Sequence, residues 1–159
     1  MLKIYPAETD EDIELVKKLL EEYLASREFE DSIFPEEVQA FQKQLSELPA
    51  EFAGPSGCLL IAKYGEQPAG CVGLRNLGDG ICEMKRLYIK SQFRGLKIGR
   101  KLMESIISEA RRIGYSVIRG DTIPSMQAAQ ALYASLGFKE IEPYRYNPIE
   151  GVKFMELKL

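Results

Sequence analysis

The chain of 159 residues has no histidine, no tryptophan and only three cysteines, none of them in a Cys-x-x-Cys pair. Without histidine there is no Ser-His-Asp triad and no His-ligated zinc, and three thiols are too few for a disulfide framework. No metal is expected. There is also no apolar run near the roughly 18 residues that a membrane span requires. The opening Met1-Leu2-Lys3-Ile4-Tyr5-Pro6 lacks the apolar stretch of a signal peptide. A cytoplasmic protein without a membrane partner is therefore expected. What is present is ordinary for a globular chain: 45% of residues are apolar and 28% charged, too apolar for disorder. The length suits one domain, residues 1–159, large enough to bury a core and too short for two.

The net charge of −3 is unevenly spread. Residues 1–50 carry 13 acidic and 5 basic side chains (−8), and residues 51–159 carry 11 and 16 (+5). From Lys85 to Lys101 there are seven cations, Lys85, Arg86, Lys90, Arg94, Lys97, Arg100 and Lys101, and no acid. Such a run is either a solvated helix face or a site for a polyanion, nucleic acid or a phosphorylated cofactor.

Leu2 to Tyr5 reads as a strand, and Thr9 with Asp12 forms a capping-box pattern ahead of a helix whose apolar face is Ile13, Val16, Leu20, Tyr23 and Leu24. Pro35 suits the first turn of a second helix with the stripe Val38, Phe41, Leu45 and Leu48, ended by Pro49 and Gly54-Pro55. Three antiparallel strands follow, Cys58–Tyr64, Ala69–Arg75 and Ile81–Ile89, the last two joined at the hairpin signal Asp79-Gly80. The three cysteines fall in these strands and read as small core residues. Ile98, Leu102, Met103, Ile106, Ala110 and Ile113 share one helical face, closed by Gly114. Ser116–Asp121 is then a strand that requires a parallel crossover. A last helix carries Ala128, Ala129, Leu132, Tyr133 and Leu136 up to Gly137, and Phe138–Ile141 and Val152–Leu157 close the chain as strands. The fold class is α/β, a mixed, mostly antiparallel twisted sheet of about seven strands with about four helices.

The basic run thus straddles a strand-to-helix junction, Gln92-Phe93-Arg94-Gly95-Leu96-Lys97-Ile98-Gly99-Arg100. A helix N-terminus offers unpaired N–H groups and the positive end of a dipole, and glycines let a ligand approach the backbone, so a pyrophosphate fits there. A lysine at position 97 is compatible with such a site provided that the position holds helical dihedrals. Duplex nucleic acid fits less well, because the chain is acidic overall and the patch is confined to one loop and turn. No nucleic-acid partner is expected. Asp121 and Thr122, at the end of a parallel strand, are placed where ligands bind in open α/β sheets.

Arg94-Gly95-Leu96-Lys97-Ile98-Gly99 resembles the central motif of the GNAT superfamily of acyl-CoA-dependent N-acyltransferases, with Lys97 standing where the middle glycine belongs. Glu83-Met84-Lys85-Arg86-Leu87-Tyr88-Ile89 and Ala131-Leu132-Tyr133-Ala134-Ser135-Leu136-Gly137-Phe138 are similar to the family's pattern, as is the order of elements. Met126 takes the place of the family's usual Asn, seven residues before Tyr133. The tail, Pro143-Tyr144-Arg145-Tyr146-Asn147-Pro148, resembles a bacterial subgroup.

The resemblance implies direct acyl transfer from acetyl-CoA, as co-substrate, to an amine in a ternary complex. The implied cofactor contacts are Leu87, Tyr88, Ile89, Arg94, Gly95, Leu96, Lys97, Ile98, Gly99, Arg100 and Met126. It also implies a bulge in the Ile81–Ile89 strand, with a backbone N–H near Leu87 for the oxyanion. Glu83 is the only acid between Gly80 and Lys101 and is expected as the base, with a pair to Lys85 or Arg86 as its structural alternative. Tyr133, at the family's acid position, would protonate the thiolate as a phenol near its ordinary pKa. Expected substrate contacts are Arg86, Arg145 and Tyr146. Acidic residues Glu28, Glu30, Asp31, Glu36 and Glu37 would draw a cation, while Tyr144, Arg145 and Tyr146 would take a carboxylate and an apolar body. Glu142 is an alternative partner for Arg145. A small amino-acid-like primary amine is the expected acceptor. A non-catalytic acyl-CoA-binding regulator, a protein N-terminal acetyltransferase and a homodimer stay open at this point.

Overall fold

A computed structural model describes residues 1–26, 34–123 and 127–159. The seven strands are β1 (Leu2–Pro6), β2 (Cys58–Tyr64), β3 (Gln67–Gly78), β4 (Ile81–Ile89), β5 (Val117–Thr122), β6 (Lys139–Ile141) and β7 (Lys153–Lys158). Among the described residues the α-helices are α1 (Asp10–Leu24), α2 (Pro35–Ser46), α3 (Ile98–Ile113) and α4 (Gln127–Ser135). One sheet takes the order β1-β2-β3-β4-β5-β7-β6, antiparallel throughout except for the parallel β4–β5 pair. The strand–helix–strand unit of β4, α3 and β5 requires that parallel neighbour, because a crossover helix returns the chain in its original direction.

Local chemistry accounts for the element ends. The Asp12 amide donates to Thr9 Oγ1 at 3.0 Å and the Thr9 amide to Asp12 Oδ2 at 3.2 Å, so the capping box is complete. The β3–β4 turn puts Asp79 at φ 56° and Gly80 at φ 78°, the left-handed pair that a tight hairpin needs. β3 starts at Gln67 rather than Ala69, because Pro68 lies beside the irregularity opposite Ala62 and Lys63 and costs the ladder no bond there.

The two faces of the sheet bury separate cores. On one, Leu102, Met103, Ile106 and Ala110 of α3 pack with Leu60, Leu74 and Met84. On the other, Val16, Leu19 and Leu20 of α1 and Phe41 and Leu45 of α2 pack with Leu59, Ile61 and Tyr88. Cys71 and Cys82 are buried in these cores and Cys58 is half-buried, all three as free thiols.

Candidate active site

β4 and β5 pair only from Ile81–Glu83 against Val117–Arg119. Beyond that the strands part, and Met84 to Leu87 face Asp121 to Ile123 across an opening in the sheet. β4 is also bulged, as the family resemblance implies. Cys71 and Gly73 pair with Tyr88 and Lys85, so two steps on β3 match three on β4, and Arg86 sits at φ 60°. Strand side chains normally alternate between faces. Here consecutive Lys85 and Arg86 both reach Glu37 Oε1, at 3.4 and 3.2 Å, so both stand on the α2 face. The register is thereby reset, and Leu87 and Ile89 turn to the α3 face while Tyr88 turns to α1. Arg86 is held in its left-handed conformation by a 2.7 Å bond to Gln44 Oε1 and by stacking 3.9 Å from the Phe41 ring centroid.

On the α3 face, a groove of about 740 Å³ runs between the end of β4, the loop to α3, and α4. Leu87, Ile89, Arg94, Gly95, Lys97, Ile98, Gly99 and Arg100, eight of the expected cofactor contacts, line it. Leu96 is exposed and outside the lining, and the Tyr88 side chain lies on the opposite face, stacked on Tyr23 at 5.1 Å with its hydroxyl donating to Glu22 at 2.9 Å. Met126 lies outside the described residues. The first bond of α3 runs from the Lys101 amide to the Lys97 carbonyl, so the amides of Ile98, Gly99 and Arg100 precede the helical ladder, the position at which helices receive phosphate.

Two expectations about this groove are corrected. Lys97 is not helical but left-handed, at φ 63° and ψ 21°, because the chain turns here in the way a glycine would allow; the lysine accepts that conformation at some cost. Nor do all seven cations gather at the helix start. Lys85 and Arg86 stand across the sheet, and Lys90 lies 3.7 Å from Glu22. Arg100 pairs with Glu104 at 2.9 Å and donates to Ser135 at 3.0 Å.

The opening itself leads to a cavity of about 130 Å³, walled by Tyr23, Glu37, Lys85, Arg86 and Arg145 on one side and by Met84, Leu87, Ala129 and Tyr133 on the other. A closed ring of polar contacts adjoins it and shares Glu37, Arg86 and Arg145 with its wall. Glu83, fully buried, accepts from Arg75 Nε at 2.8 Å and from the Tyr144 hydroxyl at 2.5 Å, and Arg145 Nε lies 3.4 Å away. Arg145 also bonds Asp121 at 2.5 Å and reaches Glu37 at 3.8 Å. Arg86 joins Glu37 to Gln44, Gln44 donates to Glu51 at 2.5 Å, and Glu51 returns to Arg75 at 2.7 Å. Glu83 thus pairs with Arg75 and Arg145 rather than with its neighbours Lys85 or Arg86, and Arg145 pairs with Asp121 rather than Glu142. Both differences have one cause: Arg75 is opposite Glu83 in the β3–β4 register, and the loop before β7 folds Tyr144 and Arg145 over the opening.

Burial, with Arg86 alongside, pushes the Lys85 ammonium down to about 8. Against its own burial, Glu37 is held below the usual carboxylate range by Lys85, Arg86 and Arg145. Tyr133 departs from its expected ordinary pKa: burial, with Asp121 and Glu83 adding to it, raises the phenol well above 10, so it keeps its proton and remains a donor. Its ring crosses Phe138 edge-on at 4.8 Å and rests on Gly120, where a Cβ would come within 2.6 Å of the hydroxyl. Tyr146 is exposed, edge-on to Phe34 at 5.6 Å, and does not line the cavity.

The sequence profile of the Acetyltransferase (GNAT) family matches residues 15–138. The chain belongs to the GNAT acetyltransferase family. It is 37% identical over 161 residues to an uncharacterized N-acetyltransferase of Schizosaccharomyces pombe, with 99% of this chain and 95% of that protein covered. Its fold is that of the PaiA N-acetyltransferase of Thermoplasma acidophilum solved with coenzyme A (TM-score 0.74, 18% identity, 100% and 99% covered). It is likewise that of a GNAT acetyltransferase of Elizabethkingia anophelis with acetyl-CoA bound (TM-score 0.68, 22% identity, 99% and 98% covered).

As a GNAT N-acetyltransferase, the enzyme has residues in its site that the sequence did not single out. Gln44, Glu51 and Arg75 carry no motif and come together only through tertiary packing. Lys85 and Glu37 were visible as charges, but their meeting depends on the bulge. Gly120 carries no signal beyond being a glycine inside a strand.

Proposed function

We propose that this GNAT enzyme transfers the acetyl group of acetyl-CoA to the primary amine of a small, amino-acid-like molecule, by direct attack in a ternary complex. The observation that carries the reading is that Leu87 and Ala129 line both the groove and the cavity. A thioester lying along the groove would meet an amine in the cavity at the opening between β4 and β5. The cavity, about 130 Å³, suits an amino acid better than a folded protein's terminus.

In this reading the amine nitrogen attacks the thioester carbonyl carbon and the carbon–sulfur bond breaks. The main chain at the bulge, near Leu87, meets the oxyanion, since an irregular strand leaves N–H groups outside the ladder. Tyr133 gives its proton to the departing thiolate. Glu83 does not line the cavity, so the amine's proton reaches its carboxylate through water, with the Tyr144 hydroxyl donating to that carboxylate at 2.5 Å. Arg94, Gly95, Lys97, Gly99 and Arg100 hold the pyrophosphate of the cofactor.

Thiol release from acetyl-CoA across a panel of amines tests the proposal. Glu83→Gln is expected to lower kcat/KM by about 10² to 10⁴, and Tyr133→Phe to lower kcat with little change in acetyl-CoA affinity. Full activity in either variant removes that residue from its role, and acetyl-CoA binding without transfer to any amine overturns the reading.

A further inference from the structure

Thr122 closes β5 at the far wall of the cavity. It is only 3% exposed, and its Oγ1 has no hydrogen-bond partner among the described residues. A buried hydroxyl left unpaired is costly, so an unpaired hydroxyl on a residue that lines a cavity calls for a partner supplied from that cavity. On the opposite wall stands Lys85, with three donors and, among the described residues, one ionic contact, 3.4 Å to Glu37. That carboxylate is shared with Arg86 and Arg145. Lys85 therefore has donor capacity to spare, facing the same small space as Thr122.

We propose that the Thr122 hydroxyl and the Lys85 ammonium together hold a carboxylate of the acceptor across the opening between β4 and β5, and that the acceptor is therefore a free amino acid. The inference rests on the acetyl-transfer reading above. Arg145, the residue the sequence suggests for this task, is already bonded to Asp121 at 2.5 Å and close to Glu83 and Glu37. Arg86 is likewise committed to Gln44 and Glu37. Of the three cations that line the cavity, Lys85, Arg86 and Arg145, Lys85 is the one with donors to spare, and a polyamine would bring like charge against it where a carboxylate brings the opposite charge.

The test measures acetyl transfer from acetyl-CoA to a panel of amino acids and to their carboxamides, in wild type, Thr122→Val, Thr122→Ser and Lys85→Met. Wild type is expected to prefer the free acid to its amide by at least tenfold in kcat/KM. Thr122→Val is expected to raise KM for the acid about tenfold with a smaller effect on kcat, and Thr122→Ser to restore it. Lys85→Met is expected to erase the preference for the acid. Equal rates on acid and amide in wild type overturn the carboxylate site and leave acetyl transfer standing. A preference that survives both Thr122→Val and Lys85→Met also overturns it. Transfer to no amine at all, with acetyl-CoA still bound, takes down the acetyl-transfer reading and this one with it.

Discussion

At the scale of single residues, two positions turn on glycine, one where it is present and one where a lysine stands in its place. Tyr133 lies flat against β5 because residue 120 has no side chain; an alanine there would place Cβ 2.6 Å from the hydroxyl and 3.2 Å from Cζ. Gly120→Ala is expected to cost about 1–3 kcal/mol in urea unfolding. Tyr133→Phe removes the closest of those atoms, so the double variant is expected to recover part of the loss. Strict additivity of the two changes would show that they do not touch. Lys97 is the second case. The departure from the family motif was legible in the sequence, but its dihedrals were not, since a lysine in a glycine's place gives no sign of whether the backbone turn survives. The turn survives, and the lysine adopts it. Spacing made Tyr133 legible as a position on the last helix and the family resemblance as the acid; the glycine that makes room for it was not legible, because a single Gly in a strand reads equally as a bulge.

At the scale of elements, the site depends on α2 being tied to β4. Glu37 and Gln44, two turns apart on α2, grip Arg86 at 3.2 and 2.7 Å, which fixes the strained residue of the bulge. Removing Glu37 leaves a buried charge without its counter-charge, and removing Gln44 leaves the same guanidinium without an acceptor. A double-mutant cycle on Glu37→Gln and Arg86→Met is expected to give a coupling of about 1–3 kcal/mol, read from denaturant midpoints. A value near zero would mean that α2 does not brace the bulge. The sequence delivers these elements well: strands, helices, caps and the parallel crossover follow from periodicity, glycine and proline. The bulge was reached only through family resemblance, since nothing in Lys85-Arg86-Leu87 states that two consecutive cations share a face. The acidic stretch from Glu28 to Asp31, read as an attractor for a cation, lies outside the described residues.

For the whole molecule, the buried titratable groups set opposing slopes with pH. Lys85 is pushed down to about 8 from an ordinary 10.5. Below pH 8 it is charged both folded and unfolded; from 8 upward the folded chain sheds the proton first, so the unfolded chain binds more protons and stability rises. Burial drives Cys71 and Cys82 up to about 12 and Cys58 to about 11 from 9.0. Their unfolded forms ionise first, so above pH 9 they lower stability. The difference in unfolding free energy between wild type and Lys85→Met is expected to grow in favour of wild type from pH 7.5 to 9, while both proteins lose stability above pH 9. A pH-independent difference would mean that Lys85 is charged throughout. The short β4–β5 ladder has a consequence for how the molecule comes apart. Among the described residues, three residue pairs, Ile81–Glu83 with Val117–Arg119, join the β1–β4 meander to the β5–β7–β6 group, extended by the Ser116 amide donating to the Gly80 carbonyl at 2.8 Å. Within the meander β2, β3 and β4 close through tight turns between sequence neighbours, whereas the second group is reached only after the chain has passed through α3, so its loop-closure entropy is larger than theirs. Amide exchange is therefore expected to show two cooperative units, with β5 and β7 opening at lower free energy than β2 and β3; a single shared opening energy would mean that those three rungs fasten the halves as firmly as a full ladder would.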